Sequence, residues 1–128
     1  MKPLTQEWFD KAEGDWVTAG RKLHARKDPN YDAACFHAQQ CSEKYLKERL
    51  QEEEIRFSKI HDLEILLDLL LFIESEWNML RPQMKVLKIY GVDFRYPGIF
   101  ADKLRAKQSV QCCQDVREAV RSSLGLPM

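Results

Sequence analysis

The chain has 128 residues, 45% of them hydrophobic and 31% charged, with 20 Lys plus Arg set against 20 Asp plus Glu. That length supports one domain around a single core. The balanced charge excludes both a histone-like polycation and an acidic tail protein, and the apolar content excludes a disordered segment.

Only five Gly and five Pro are present and no period-two β-branched runs occur, so helix is the expected element throughout. A first helix is expected from about Thr5 to Arg26, with Thr5 as its cap. Trp8, Ala12, Trp16, Ala19 and Leu23 form one apolar stripe along it. Arg21, Lys22, Arg26 and Lys27 crowd its C-terminal end, where the helix dipole favours cations. Lys27-Asp28-Pro29-Asn30 reads as a turn. A second helix, about Tyr31 to Glu53, has an apolar arc of Ala34, Ala38, Cys41 and Tyr45 flanked by Cys35, Leu46 and Leu50. An arc that wide suits a central helix with neighbours on two sides. Its remaining face carries His37, Gln40, Lys44 and Lys47.

A third helix starts near His61-Asp62 and is apolar nearly all round, which predicts burial. The fourth, about Ser75 to Tyr90, contains Pro82, which either kinks it or marks its first turn. Gly91 to Lys107 reads as a long loop, and a last helix runs from about Gln108 to Leu124. Five helices with mostly short connections predict an all-α, five-helix up-and-down antiparallel bundle, with residues 1–128 forming one domain.

Charges follow Met1 at once, and the most apolar window, Ile65 to Ile73, is interrupted by Asp68. A bilayer span needs about 20 apolar residues, so no membrane segment is expected and the protein is expected in the cytoplasm. Cys112 and Cys113 are adjacent, while Cys35 and Cys41, six apart, face different ways on a helix. The four thiols therefore read as small buried apolar groups rather than as a metal or disulfide set. Neither a Gly-rich phosphate loop nor a zinc helix is present, so no metal or cofactor is expected.

From Arg81 to Lys107, seven basic residues stand against Asp93 and Asp102, with Tyr90, Phe94, Tyr96 and Phe100 interleaved. Fixed cations hold phosphates and flat rings stack on bases, so this mixture suits a nucleotide or RNA site. It equally suits a solvated loop whose aromatics plug the end of a bundle. His24 reads as a surface residue and His37 as a satisfied, partly buried imidazole. His61, at a helix entry beside Asp62, is either a structural bracket or an acid–base group.

The run Ala34-Cys35-Phe36-His37-Ala38-Gln39-Gln40-Cys41-Ser42-Glu43-Lys44-Tyr45-Leu46-Lys47 resembles the second-helix signature of HEPN domains, the higher eukaryote and prokaryote nucleotide-binding family. Ile60-His61-Asp62-Leu63 resembles that family's Thr-His-Asp-Leu, and Arg95-Tyr96-Pro97 its Arg-Tyr-Pro after the fourth helix. The resemblance implies a helical bundle that forms homodimers and works beside a small nucleotidyltransferase in toxin–antitoxin-type pairs. It also implies nucleotide or RNA binding, with His61, Tyr90, Arg95 and Tyr96 near one another and Lys44 and Lys47 adding phosphate contacts. One branch of the family cleaves RNA without metal through an arginine followed, after four to six residues, by a histidine. Arg56 and His61 satisfy that count. In that reading His61 takes the 2′-hydroxyl proton and Arg56 holds the phosphate. A third reading is a structural interaction bundle whose contact surface draws on Phe9, Phe36 and Trp77.

Overall fold

The computed structural model describes residues 1–91, 97–98 and 100–127. Five α-helices form among them: α1 (Pro3–His24), α2 (Tyr31–Glu52), α3 (Leu63–Leu70), α4 (Arg81–Lys88) and α5 (Lys103–Ser123). Two 3-10 turns, Ser75–Leu80 and Ile89–Gly91, flank α4. No strand occurs among the described residues, and the all-helical bundle expected from the sequence is what forms.

The side-chain pairings fix the directions. Thr5 meets Glu52, Ala12 meets Cys41, and Asp15 meets His37, so α1 and α2 are antiparallel. Glu64 meets Lys88 and Asp68 meets Arg81, so α3 and α4 are antiparallel too. Tyr45–Arg117 and Arg49–Ser123 show α5 running alongside α2 in the same sense. The segment between α2 and α3 folds back along α2 and delivers His61 to Glu43.

Helix α2 is the axis of the molecule, with Ala38, Cys41, Tyr45, Leu46 and Leu50 all fully buried. Its small residues let α1 approach closely enough for the Cys41 thiol to donate to the Ala12 carbonyl at 3.2 Å. Leu63, Leu66, Leu67 and Leu70 of α3 and Met84 and Leu87 of α4 complete the main core. A smaller cluster of Leu23, Ala34, Cys35, Tyr90 and Ala106 closes one end. Truncating any of the fully buried leucines to alanine costs about 2–5 kcal/mol.

Several boundaries differ from expectation for local reasons. Thr5 lies inside α1, which begins at Pro3, because proline is tolerated in the first turn and the Thr5 hydroxyl donates to Glu52 at 2.9 Å. Pro82 marks the first turn of α4, preceded by the 3-10 turn, rather than kinking a longer helix. Helix α5 starts five residues earlier than expected, because Asp102 caps it by accepting from the Arg105 amide at 2.8 Å. Helix α3 is not buried all round: Ile65 is 48% exposed. Trp77, expected on a contact surface, is buried at 5% exposure. Phe9 and Phe36 are partly buried, and Phe72 is instead the most exposed large apolar residue described.

All four cysteines are free and buried, as expected. Burial raises the thiol pKa values of Cys35, Cys41 and Cys112, the last to about 11. Glu48 is the anomaly of the core. It is fully buried, and neither carboxylate oxygen has a hydrogen-bond partner among the described residues. Burial, with the charge of Glu13 next, pushes its pKa up to about 8.

Candidate functional site

One line of α2 is polar where a central helix is otherwise apolar. Gln39, Glu43 and Lys47 follow one another at four-residue steps, which stacks them on one face. All three are buried. The Gln40 amide donates to Gln39 at 2.7 Å, Gln39 donates to Glu43 at 3.4 Å, and the Lys47 ammonium donates to Glu43 Oε2 at 2.9 Å. Gly91, at the end of the second 3-10 turn, backs this line. A Cβ there would sit 3.3 Å from the Gln39 amide.

His61 completes the cluster from the segment before α3. Asp62 pins the backbone at this point by accepting from the amides of Glu64 and Ile65 at 2.9 and 3.2 Å. The imidazole is thereby turned toward α2, with Nδ1 lying 3.1 Å from Glu43 Oε2 and 3.4 Å from Lys47 Nζ. The shorter contact is to the carboxylate, which favours the tautomer with hydrogen on Nδ1 and leaves Nε2 on the open side. Contrast in exposure supports this division: the His61 side chain is 72% exposed, against 9% for Glu43 and 6% for Lys47.

Lys47 is caged as well as paired. Its ammonium lies 5.5 Å from the centre of the Trp8 ring and 5.8 Å from that of Phe57. The two rings meet edge to face at 5.7 Å. Beyond them opens a groove of about 520 Å³ lined by Leu4, Trp8, Gln51, Ile55, Arg56 and Phe57 among others.

The sequence-derived site residues thus fall into groups. His61 and Lys47 meet at one carboxylate. Lys44 pairs with Asp15, which also holds His37 at 2.9 Å, so the polar face of α2 is satisfied by α1. Arg56 is exposed on the groove beyond Trp8, and no hydrogen bond joins it to His61. Tyr90 is 5% exposed in the small core cluster, with burial raising its phenol pKa. Arg95 and Tyr96 lie outside the described residues. Glu43 was missed by the sequence reading, although its place four residues from both Gln39 and Lys47 was a readable signal.

Among the described residues no helix is long and apolar enough to cross a membrane, and no group of His, Cys, Asp or Glu could hold a metal ion. What remains is an all-helical bundle that buries an acid–base pair beneath an exposed imidazole. The model of the HEPN domain family matches residues 5–123, and the chain belongs to that family. No curated protein and no solved structure matches the chain.

Proposed function

We propose that this chain is a dimeric nucleotide- or RNA-binding module that acts with a small nucleotidyltransferase in a toxin–antitoxin-type pair. Membership of the HEPN family supports a nucleotide- or RNA-related role. The observation that carries the reading further is the Glu43–Lys47–His61 cluster. Lys47 already balances the Glu43 charge, which leaves the exposed face of the His61 ring for a ligand. An exposed imidazole so held is suited to a phosphate. His61 is the proposed contact, with Arg95 and Tyr96 as its partners. Lys47 acts by holding the cluster rather than by touching ligand.

Isothermal titration with ATP, GTP and a short RNA tests the binding role. Heat with at least one of them, lost in His61→Ala, is expected; silence with all three in the wild type refutes it. Light scattering tests the dimer. Co-purification with a nucleotidyltransferase encoded beside this chain tests the pairing.

A second reading, metal-independent RNA cleavage, draws on the same cluster. A carboxylate on Nδ1 leaves Nε2 free to take a 2′-hydroxyl proton, with Arg56 holding the phosphate. Cleavage of RNA in chelator by the wild type but not by His61→Ala is the expected result, and equal activity in both removes the proposed base.

A further inference from the structure

The basic run from Arg81 to Lys107 divides when the chain folds. Arg81, Lys85 and Lys88 on α4 are taken up by carboxylates of α3: Arg81 by Asp68 and Glu64, Lys85 by Glu64 at 3.2 Å, and Lys88 by Glu64 at 2.8 Å. Lys103 and Lys107 go elsewhere. The first turns of α5 carry them to the C-terminal end of α1, where they line a groove of about 290 Å³ with Leu23, His24, Ala25 and Tyr31. Leu23 is buried at 6% exposure and forms the floor, while the two lysines and His24 are exposed at the rim.

Neither lysine forms an ion pair among the described residues, and nor do Arg21, Lys22, Arg26 and Lys27 beside them. Two of the acids described at this end are committed to the backbone. Asp32 accepts from the Ala101 amide at 2.6 Å and Asp102 caps α5, leaving Asp28 as the third. Stability accounts for the cations of α1, which sit at the negative end of its dipole. It does not account for Lys103 and Lys107. Lys103 stands in the first turn of α5, next to its Asp102 cap, at the positive end of the dipole where a cation is unfavourable, and Lys107 follows one turn further on.

We propose that this end of the bundle is a docking groove for the phosphate backbone of single-stranded RNA. The inference rests on the RNA-binding reading above and narrows it. Lys103 and Lys107 meet successive phosphates, and Tyr31 and the exposed ring of Phe100 offer flat faces at the same end. A concave groove with cations on its rim fits a strand, whereas a bilayer presents a flat surface. Tyr31 and Lys47 are separated by sixteen residues of α2, about 24 Å along the axis. A mononucleotide held here does not span that distance, so this groove is separate from the His61 cluster.

The test is fluorescence anisotropy with a labelled single strand of about twelve nucleotides, titrated between about 50 and 200 mM salt. Relative to wild type, Lys103→Gln/Lys107→Gln is expected to bind about tenfold more weakly, with the slope of log affinity against log salt shallower by about 1.4. Both side chains are exposed, and a thermal melt confirms that the variant folds. Lys85→Gln, which removes a cation already paired with Glu64, is expected to leave the slope unchanged. A double variant with the wild-type slope overturns the proposal. So does wild-type binding to phosphatidylserine vesicles in place of RNA. Wild-type heat with ATP but no binding of the strand overturns the groove while leaving the nucleotide reading intact.

Discussion

Glu48 makes the stability of this protein fall as pH rises, and Glu48→Gln removes that dependence. Its carboxyl goes from an ordinary 4.5 to about 8 on folding. The folded state therefore favours the neutral acid, and the unfolded chain releases the proton first. Stability is undiminished below pH 4.5, declines as pH climbs, and levels off above about 8. At 1.36 kcal/mol per pH unit the full decline is about 5 kcal/mol, most of it already present at pH 7. That is a large share of the roughly 5–15 kcal/mol available to a domain. Glutamine keeps the shape and, like the neutral carboxyl it replaces, is buried without partners, so it adds little cost of its own. The variant is thus expected to match the wild type near pH 5 and to be the more stable protein near pH 9. Urea denaturation followed by far-ultraviolet circular dichroism across that range measures both curves. Parallel curves for the two proteins would refute the assignment of this slope to Glu48.

The opposite slope is expected at acid pH. Lys88 and Lys85 hold the Glu64 carboxyl down at about 2, so its contribution, present above 4.5, is lost as pH falls toward 2; Glu64→Gln should blunt that loss in an acid titration. Glu43→Ala strands the buried Lys47 ammonium and is expected to cost about 3–5 kcal/mol by urea denaturation. Adding Lys47→Leu should recover most of it, and a double variant no better than the single one would show that charge burial is not the cause. Gly14 and Gly20 lie inside α1, and a methyl group on either would meet nothing within 4 Å, so alanine at either should add about 0.5–1 kcal/mol. Gly91→Ala, whose methyl would crowd Gln39 at 3.3 Å, is expected to lower the denaturation midpoint instead.

The helical stripes were legible because burial follows a 3.6-residue period. Ala12, Ala19 and Leu23 on α1 and Cys41, Tyr45 and Leu50 on α2 all lie where that period puts them. Asp62 and His61 were legible as a helix entry, since a short acidic side chain before an apolar run is a capping signal. The start of α5 was not, because Lys103 to Lys107 is too polar to show a period and only the Asp102 cap marks it. The partners of charged residues were least legible. Nothing local says that Lys44 will meet Asp15, 29 residues away, or that Glu64 will collect three cations from α4. Glu48 shows the reverse failure, an acid seven residues from Cys41 and so on the apolar face, where periodicity predicts burial but propensity argues against it.

The concealed thiols give the molecule a built-in reporter. With Cys35, Cys41 and Cys113 fully shielded and Cys112 nearly so, a maleimide dye finds almost no target until the bundle opens. Labelling speed under native conditions then counts excursions of the folded chain, and any ligand that clamps the helices slows the clock.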